Sequence, residues 1–264
     1  MNLVMFVPFG SLNQEAGVIS MLARQTGMVL SSVTQLRCNG TFALCDRDVE
    51  AGWNRDLHAC SRCLSEQAAL GNWAEIGSLD LSGFLSSDEV LETRRWALGL
   101  PDQDLITSRF RDLKVFDFCR STFSSRFGSS ELQPGNRNHV QFARRAMLAS
   151  VRMCLATRRF NNRFMPDLTL VAGGDDFISR SFIEQSREQK KAVAVFRWEA
   201  AARAIKVYHP RSSEVYSCEF ILQDITSMRS DVSTWPEELL QVTAELMSFL
   251  SIPQSGAALA KAAN

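Results

Sequence analysis

Residues 168–196 read LTLVAGGDDFISRSFIEQSREQKKAVAVF. The first five are apolar and predict a buried strand, Gly-Gly-Asp-Asp at 173–176 predicts a tight turn, and residues 177–188 predict a helix. A second apolar run at 192–196 predicts the next strand. Because a strand, a helix and a strand in this order favour a right-handed crossover between parallel strands, the segment predicts an α/β fold.

The N-terminus has the same arrangement. The apolar run Leu3–Val7 predicts a strand, Asn13 is a natural cap for a helix that stops at Gly27, and residues 28–36 predict a second strand. We therefore expect a Rossmann-like parallel sheet flanked by helices. Further strands are predicted at 204–208 and 215–222, a long helix at 139–160, and a last helix from Trp235-Pro236 to about Leu250.

The predicted domain organisation is simple. Residues 1–252 are expected to form one Rossmann-like α/β domain, with a cysteine-rich, metal-binding loop insertion at 37–66. Residues 253–264 are small and polar and are expected to form a flexible C-terminal tail.

Composition narrows the class of protein. The chain has 264 residues with 29 basic and 29 acidic side chains, which argues against a general electrostatic attraction to nucleic acid or acidic membranes but leaves a local basic groove open. The N-terminus has no basic segment followed by a long apolar one, as a signal peptide would, and no apolar run reaches the about 20 residues that span a bilayer. We expect a cytoplasmic protein without a membrane span and without a nucleic-acid partner.

Four of the seven cysteines lie close together in a polar segment. Their spacing is Cys38-x6-Cys45-x14-Cys60-x2-Cys63, and a C-x2-C pair places two thiolates on one side of a turn. Four sulfurs at about 2.3 Å suit zinc in a structural role, and the same four could hold an iron–sulfur cluster. The alternatives are ordinary reduced cysteines in a loop, or a redox-active C-x2-C pair at a helix start.

A candidate ligand crevice follows from the predicted sheet. In open parallel sheets, ligands bind beyond the carboxyl ends of the strands. That rule selects the turn at 173–176 and the next strand end, where the candidate ligand-binding residues are Gly173, Gly174, Asp175, Asp176, Arg180 and Arg197. The glycines let the backbone approach a ligand closely, and the helix start offers free N–H groups to an anion. Together with the two guanidinium groups, they suit an acceptor that carries phosphate or carboxylate. The alternative is a plain strand-to-helix turn with an acidic cap.

The catalytic residues are unknown from the pattern, and Glu15 is the candidate. It lies at the start of the first predicted helix, close to the same crevice, where a carboxylate could act as a base on an acceptor hydroxyl. The alternative is an exposed glutamate that favours the helix dipole. The arginines of the helix at 139–160 are expected to form a solvated face.

Several phrases of the chain resemble a known family. They are the Glu15-x-Gly17 helix, Leu-Arg-Cys-Asn-Gly at 36–40 with Cys45, Cys-Ser-Arg-Cys at 60–63 before Gln67, and residues 166–180 followed by 193–196. Together they are similar to the N-terminal half of cysteine-containing, glycosyltransferase-B-fold glycosyltransferases of capsule and lipopolysaccharide biosynthesis. The similarity covers most of residues 1–200.

The resemblance implies an acceptor-side Rossmann-like domain whose ligand is a glycan or a nucleotide sugar. Such enzymes hold the sugar donor mainly in a second domain, and 264 residues are too few to contain one. The resemblance therefore leaves three alternatives: a partner chain supplies the donor-binding part, transferase activity has been lost, or the chain is a fragment. The alternative interpretations are a non-enzymatic binding or assembly protein with the same fold, and an iron–sulfur sensor.

Overall fold

The computed structural model describes residues 1–8, 14–28, 32–42, 44–45, 57–199, 201–218 and 237–252. Within these ranges a seven-stranded sheet is formed by β1 (Leu3–Phe6), β2 (Val33–Arg37), β3 (Gly77–Asp80), β6 (Leu168–Ala172), β7 (Val193–Glu199), β8 (Ala204–Tyr208) and β9 (Val215–Cys218). A separate short hairpin consists of β4 (Arg109–Phe110) and β5 (Leu113–Lys114). The helices of the same ranges are α1 (Gln14–Gly27), α2 (Leu57–Ala74), α3 (Ser87–Gly99), α4 (Val115–Phe127), α5 (Arg137–Phe164), α6 (Phe177–Glu188) and α7 (Glu237–Phe249).

The order of strands in the sheet is β3-β2-β1-β6-β7-β8-β9. The first five are parallel to their neighbours, as expected. From β1 the chain moves outward to β2 and β3, then returns to the other side of β1 for β6 and β7. The order therefore reverses between β1 and β6, and doubly wound sheets bind their ligands at such a switch point.

The expectation of a parallel sheet was wrong at one edge, where β8 and β9 are antiparallel to their neighbours. Only residues 200–203 separate β7 from β8. A parallel return needs a crossover of a dozen residues or more, so this short connection forces the antiparallel pairing. The fold is thus a mixed α/β sheet, mostly parallel and flanked by helices.

Helices cover both faces of the sheet. On one face, α4, α5 and α6 pack on β1, β2, β6 and β7 around a phenylalanine-rich core that includes Phe6, Phe142 and Phe182. On the other face, α1, α2 and α7 pack around a core of aliphatic side chains such as Ile19 and Leu22. Buried apolar area on both faces explains why the central strands are continuous apolar runs.

Polar side chains cap the starts of α3 and α5. Ser86 accepts a hydrogen bond from the Glu89 N–H while the Glu89 carboxylate accepts one from the Ser86 N–H, which forms a capping box at the start of α3. The Asn136 side chain caps α5 by accepting hydrogen bonds from the Asn138 and His139 N–H groups. The predicted cap Asn13 and the predicted tail at 253–264 lie outside the described residues.

The arginines of α5 are not simply a solvated face, and this expectation was wrong. Arg144 donates to the carbonyl oxygens of Ala97 (2.6 Å) and Leu100 (2.5 Å) at the end of α3 and pairs with Asp102. Arg152 donates to the Val90 carbonyl at 3.1 Å. The carbonyls left over at the end of α3 need donors, and Arg144 supplies them, while Arg152 binds a carbonyl in the first turn of the same helix.

We expect Arg144→Ala to lower the free energy of unfolding by about 2–3 kcal/mol, because hydrogen bonds to charged groups contribute about 1.5–3 kcal/mol each and do not add fully. Urea unfolding measures the change. Arg137→Ala, on the exposed first turn of the same helix, is the control and is expected to stay within about 0.5 kcal/mol of the parent. Equal unfolding midpoints for the two variants would contradict this role of Arg144.

Candidate functional site

The candidate site lies at the switch point, where the carboxyl ends of β1, β6 and β7 meet. Directly after β6 the backbone turns through Gly173 and Gly174, whose φ angles are 86° and 116°. The Gly173 N–H donates to the Phe196 carbonyl of β7 at 2.9 Å, which holds the turn against the neighbouring strand. Residues that have a side chain rarely adopt these backbone φ angles, so the turn requires glycine.

Space as well as backbone conformation excludes a side chain at Gly174. A Cβ there would lie 3.1 Å from Val195 Cγ1 and 3.3 Å from Arg197 Nη2. The turn after β6 is therefore packed directly against the end of β7. The sequence prediction that these two strand ends form one surface is consistent with this contact.

Asp176 is the N-cap of α6. Its Oδ1 accepts a hydrogen bond from the Ser179 N–H at 2.6 Å, and its Oδ2 accepts a longer one from the Gly174 N–H at 3.5 Å. Burial raises the pKa of Asp176, while these hydrogen bonds act in the opposite direction. The carboxylate already uses the Ser179 N–H that an anion would need, so Asp176 shapes the turn and does not leave this helix start open.

Arg197 places a guanidinium group beside the turn. Its Nη2 lies 3.2 Å from Asp175 Oδ1, and its Cζ lies over the Tyr208 ring at 5.2 Å from the centroid. Its Nε–H is buried and has no hydrogen-bond partner among the described residues. A buried donor without an acceptor is costly, and a bound phosphate or carboxylate oxygen would remove that cost.

Glu15 reaches across the end of β6. Its Oε1 accepts a hydrogen bond from the Trp198 N–H of β7 at 2.9 Å, although the two residues are 183 positions apart. The side chain is half-buried, and burial raises its pKa above the ordinary value while the Trp198 N–H lowers it. Glu15 is therefore not merely an exposed first-turn glutamate.

Arg180 occupies a different place from the other candidates. It lines a cavity of about 330 Å³ together with Asp117 of α4 and Glu184 of α6. The structure thus brings together Glu15, Gly173, Gly174, Asp175, Asp176 and Arg197 and places Arg180 with another group of charges.

Comparison of the chain with protein families, with curated proteins and with solved structures finds no match. The function must therefore be argued from the geometry of the site. No helix within the described ranges combines the length and apolar character needed to cross a membrane.

The cysteines lie at the same edge of the sheet as the crevice. Cys38 directly follows β2, and Cys60 and Cys63 lie in the N-terminal half of α2. Gln67 joins this helix to the crevice, since its Nε2 donates to the Pro8 carbonyl at 2.8 Å and lies 3.8 Å from Cys63 Sγ. Because Pro8 follows β1, the thiols of α2 lie next to the switch point.

The thiols are close enough to influence one another electrostatically. The pKa of Cys38 is raised to about 11, mainly by burial and also by negative charge on Cys63 and Cys60, while two backbone N–H groups act in the opposite direction. Cys38, Cys45, Cys60 and Cys63 are all half-buried and reduced. Three of the four predicted ligands therefore share one neighbourhood.

The cysteine side chains do not converge tightly enough to form a finished metal centre. Across the described residues, no three histidine, cysteine, aspartate or glutamate side chains form a group that could hold a metal ion. The sulfur donors suit zinc or an iron–sulfur cluster, but the thiols would have to move closer together to bind one. Residues 46–56, between Cys45 and Cys60, lie outside the described part of the chain.

Sequence reasoning missed two contributors to the site. Tyr208 lies under Arg197 because β8 returns antiparallel beside β7, a pairing that the apolar pattern of β8 does not reveal. Gln67 connects the thiols to Pro8, and its place four residues after Cys63 on one helix face was the available signal.

The raised pKa of Glu15 has a consequence for stability. Because the folded chain holds this proton more tightly than the unfolded chain, the free energy of unfolding falls as the pH rises above the ordinary glutamate pKa, and the loss is complete above the folded-state pKa. We expect Glu15→Gln to lack this part of the slope, which begins above the ordinary glutamate pKa. Urea unfolding at a series of pH values measures it, with the exposed Glu131→Gln as control. A Glu15→Gln profile parallel to the parent would contradict the raised pKa.

Proposed function

We propose that the chain is a glycosyltransferase-like protein of surface polysaccharide biosynthesis, and that the crevice at the switch point binds the acceptor. The proposal is supported mainly by one observation. The half-buried carboxylate of Glu15 reaches over the end of β6 to the Trp198 N–H, next to Arg197, whose Nε–H has no partner among the described residues. A base and an unsatisfied cationic donor thus lie at the same end of β7.

The proposed chemistry is transfer of a sugar to an acceptor hydroxyl. The hydroxyl oxygen attacks C1 of the donor sugar and forms a new C–O bond, while the bond from C1 to the nucleoside diphosphate breaks. The proton of the hydroxyl passes to the Glu15 carboxylate, and the leaving diphosphate takes the electron pair. A carboxylate with a raised pKa is the better proton acceptor, provided that it is ionised at the working pH.

Arg197 is proposed to orient the acceptor. A guanidinium group binds phosphate or carboxylate with directed, charge-assisted hydrogen bonds, so an acidic or phosphorylated sugar is the acceptor class that fits. Asp175 would exchange its ion pair with Arg197 for solvent when the acceptor binds, since its side chain is 76% exposed. A partner chain is proposed to supply the donor-binding part of the reaction.

The cysteines are proposed to hold a structural metal. Cys38, Cys45, Cys60 and Cys63 would surround zinc, or alternatively an iron–sulfur cluster, and tie the segment after β2 to α2. Four protein ligands leave no open position on the ion, so the metal would stabilise the mouth of the crevice without taking part in the transfer.

A thermal-shift panel tests the proposed function. Nucleotide sugars, sugar phosphates and uronic acids are each added to the parent, to Arg197→Gln and to Arg211→Gln. Arg211 follows β8, which runs antiparallel to β7, so it lies at the end of the sheet opposite to the crevice. We expect at least one compound to raise the melting temperature of the parent and of Arg211→Gln but not of Arg197→Gln. If no compound raises the melting temperature of the parent, that result would contradict the proposed transferase and favour a binding or assembly protein.

A further inference from the structure

A second cavity lies at the end of α5, away from the crevice. Its volume is about 400 Å³, within the range of small-molecule sites. Arg158, Arg159 and Arg163 line it from the last two turns of α5, and Arg111 lines it from the turn between β4 and β5. Because α5 leads directly into the start of β6, the cavity lies at the amino-terminal ends of the parallel strands, opposite to the switch point.

Basic side chains outnumber acidic ones around this cavity. Four guanidinium groups line it, and Glu89 is the acidic residue that lines it with them. Arg159 pairs with Glu89 at 2.8 Å and Arg111 with Glu92 at 3.1 Å, while Arg158 lies 3.7 Å from Glu188. Arg163 has no hydrogen-bond or ion-pair partner in the described part of the chain and is exposed. The set thus retains one uncompensated cation in a chain with no net charge.

Helix electrostatics does not explain the whole set. A cation in the last turn of a helix is favoured by the helix dipole, which accounts for Arg163. Arg111 comes from a separate hairpin, however, and converges on the same space from another side. Several guanidinium groups that face one cavity form the arrangement that binds anions through charge-assisted hydrogen bonds.

The remaining lining defines the ligand further. The buried side chain of Leu155 provides an apolar floor, and the exposed Asn162 provides a polar group at the rim. Asn162 Oδ1 accepts a hydrogen bond from Gln189 Nε2 at 2.9 Å. An apolar floor below a guanidinium rim suits an organic group that carries a phosphate.

We propose that this cavity is an anion site for a phosphate-bearing ligand, independent of the crevice at the switch point. The phosphoryl oxygens bind Arg163 and displace part of the ion pairing of Arg111 and Arg159. The ligand is a free phosphate compound or the headgroup of an anionic lipid, since both present the same group.

Titration calorimetry at low ionic strength tests the proposal, with pyrophosphate as the free ligand and vesicles containing phosphatidic acid as the lipid source. All proteins carry Arg197→Gln, so that the crevice does not contribute. We expect Arg163→Gln to weaken binding about tenfold, the loss of one charge-assisted contact. Arg137→Gln, at the exposed opposite end of α5, is expected to bind both probes as tightly as the protein that carries Arg197→Gln alone. Added salt should weaken binding, as it does for exposed charges.

Each outcome decides between the alternatives. Binding of pyrophosphate that depends on Arg163 supports a free phosphate ligand, and binding of the vesicles alone that depends on Arg163 supports a lipid headgroup. Absence of binding in both arms, or equal affinities of Arg163→Gln and Arg137→Gln, overturns the proposal. Unchanged melting temperatures of the ligand-free variants exclude unfolding as the cause, since both arginines are exposed.

Discussion

Glu15→Gln is expected to lower the rate of the proposed sugar transfer about 100-fold or more, since a positioned general base contributes about 10²–10⁴-fold. Glutamine retains the shape of the side chain and an oxygen that can accept from the Trp198 N–H, but it cannot take a proton. The rate is measured with the donor and acceptor that the thermal-shift panel identifies. Binding of the acceptor, measured separately, should change little.

The pH profile separates a base from a structural residue. The activity of the parent should fall as the pH falls through the pKa of Glu15, at a higher pH than for an ordinary glutamate because burial raises that pKa. Glu131→Gln, in an exposed loop, should retain both the rate and the profile. If Glu15→Gln transfers sugar at the rate of the parent, Glu15 is not the base.

We expect Cys60→Ser to remove the proposed metal and to lower the free energy of unfolding by several kcal/mol, because binding energy at a structural metal site is folding free energy. The parent, purified without exposure to air, should contain about one metal ion or cluster per chain. Elemental analysis measures the metal, and visible absorption distinguishes the coloured iron–sulfur cluster from colourless zinc.

The control for the cysteine lies beside it. Ser61→Ala changes an exposed position between Cys60 and Cys63 and should leave both the metal content and the stability unchanged. A parent protein that is folded and free of metal would remove the metal hypothesis. It would also leave the electrostatic proximity of Cys38 to Cys60 and Cys63 as a feature of packing alone.

The local sequence pattern was sufficient to predict the strands and helices that are apolar and have clear turn or capping residues at their ends. The strand Leu168–Ala172 and the helix Phe177–Glu188 have the predicted limits, because glycines and an acidic cap separate them. The strand Gly77–Asp80 was missed because it is an edge strand with half-exposed or exposed side chains and has only one large apolar residue. The return of β8 antiparallel to β7 depends on connection length, which the apolar pattern does not contain.

The candidate site was predictable where it follows from the sheet and unpredictable where it depends on distant contacts. The rule for carboxyl ends of strands selected the turn at 173–176 and Arg197, and these do pack together. The contact of Glu15 with Trp198 joins opposite ends of the chain, and only the order of strands explains it. Arg144 and Arg152 have the same charge as solvated arginines, so composition could not reveal that they bind carbonyls of another helix.

Under the proposed function, the ligand crevice lies at the carboxyl ends of β1, β6 and β7. Amide hydrogen exchange, measured with and without each compound of the panel, tests it most directly, because ligand contact slows local opening. The account predicts slower exchange at residues 173–179 and at 197–198 when a nucleotide sugar, sugar phosphate or uronic acid is bound. Binding that leaves both of these segments unchanged and slows exchange elsewhere in the chain would contradict it.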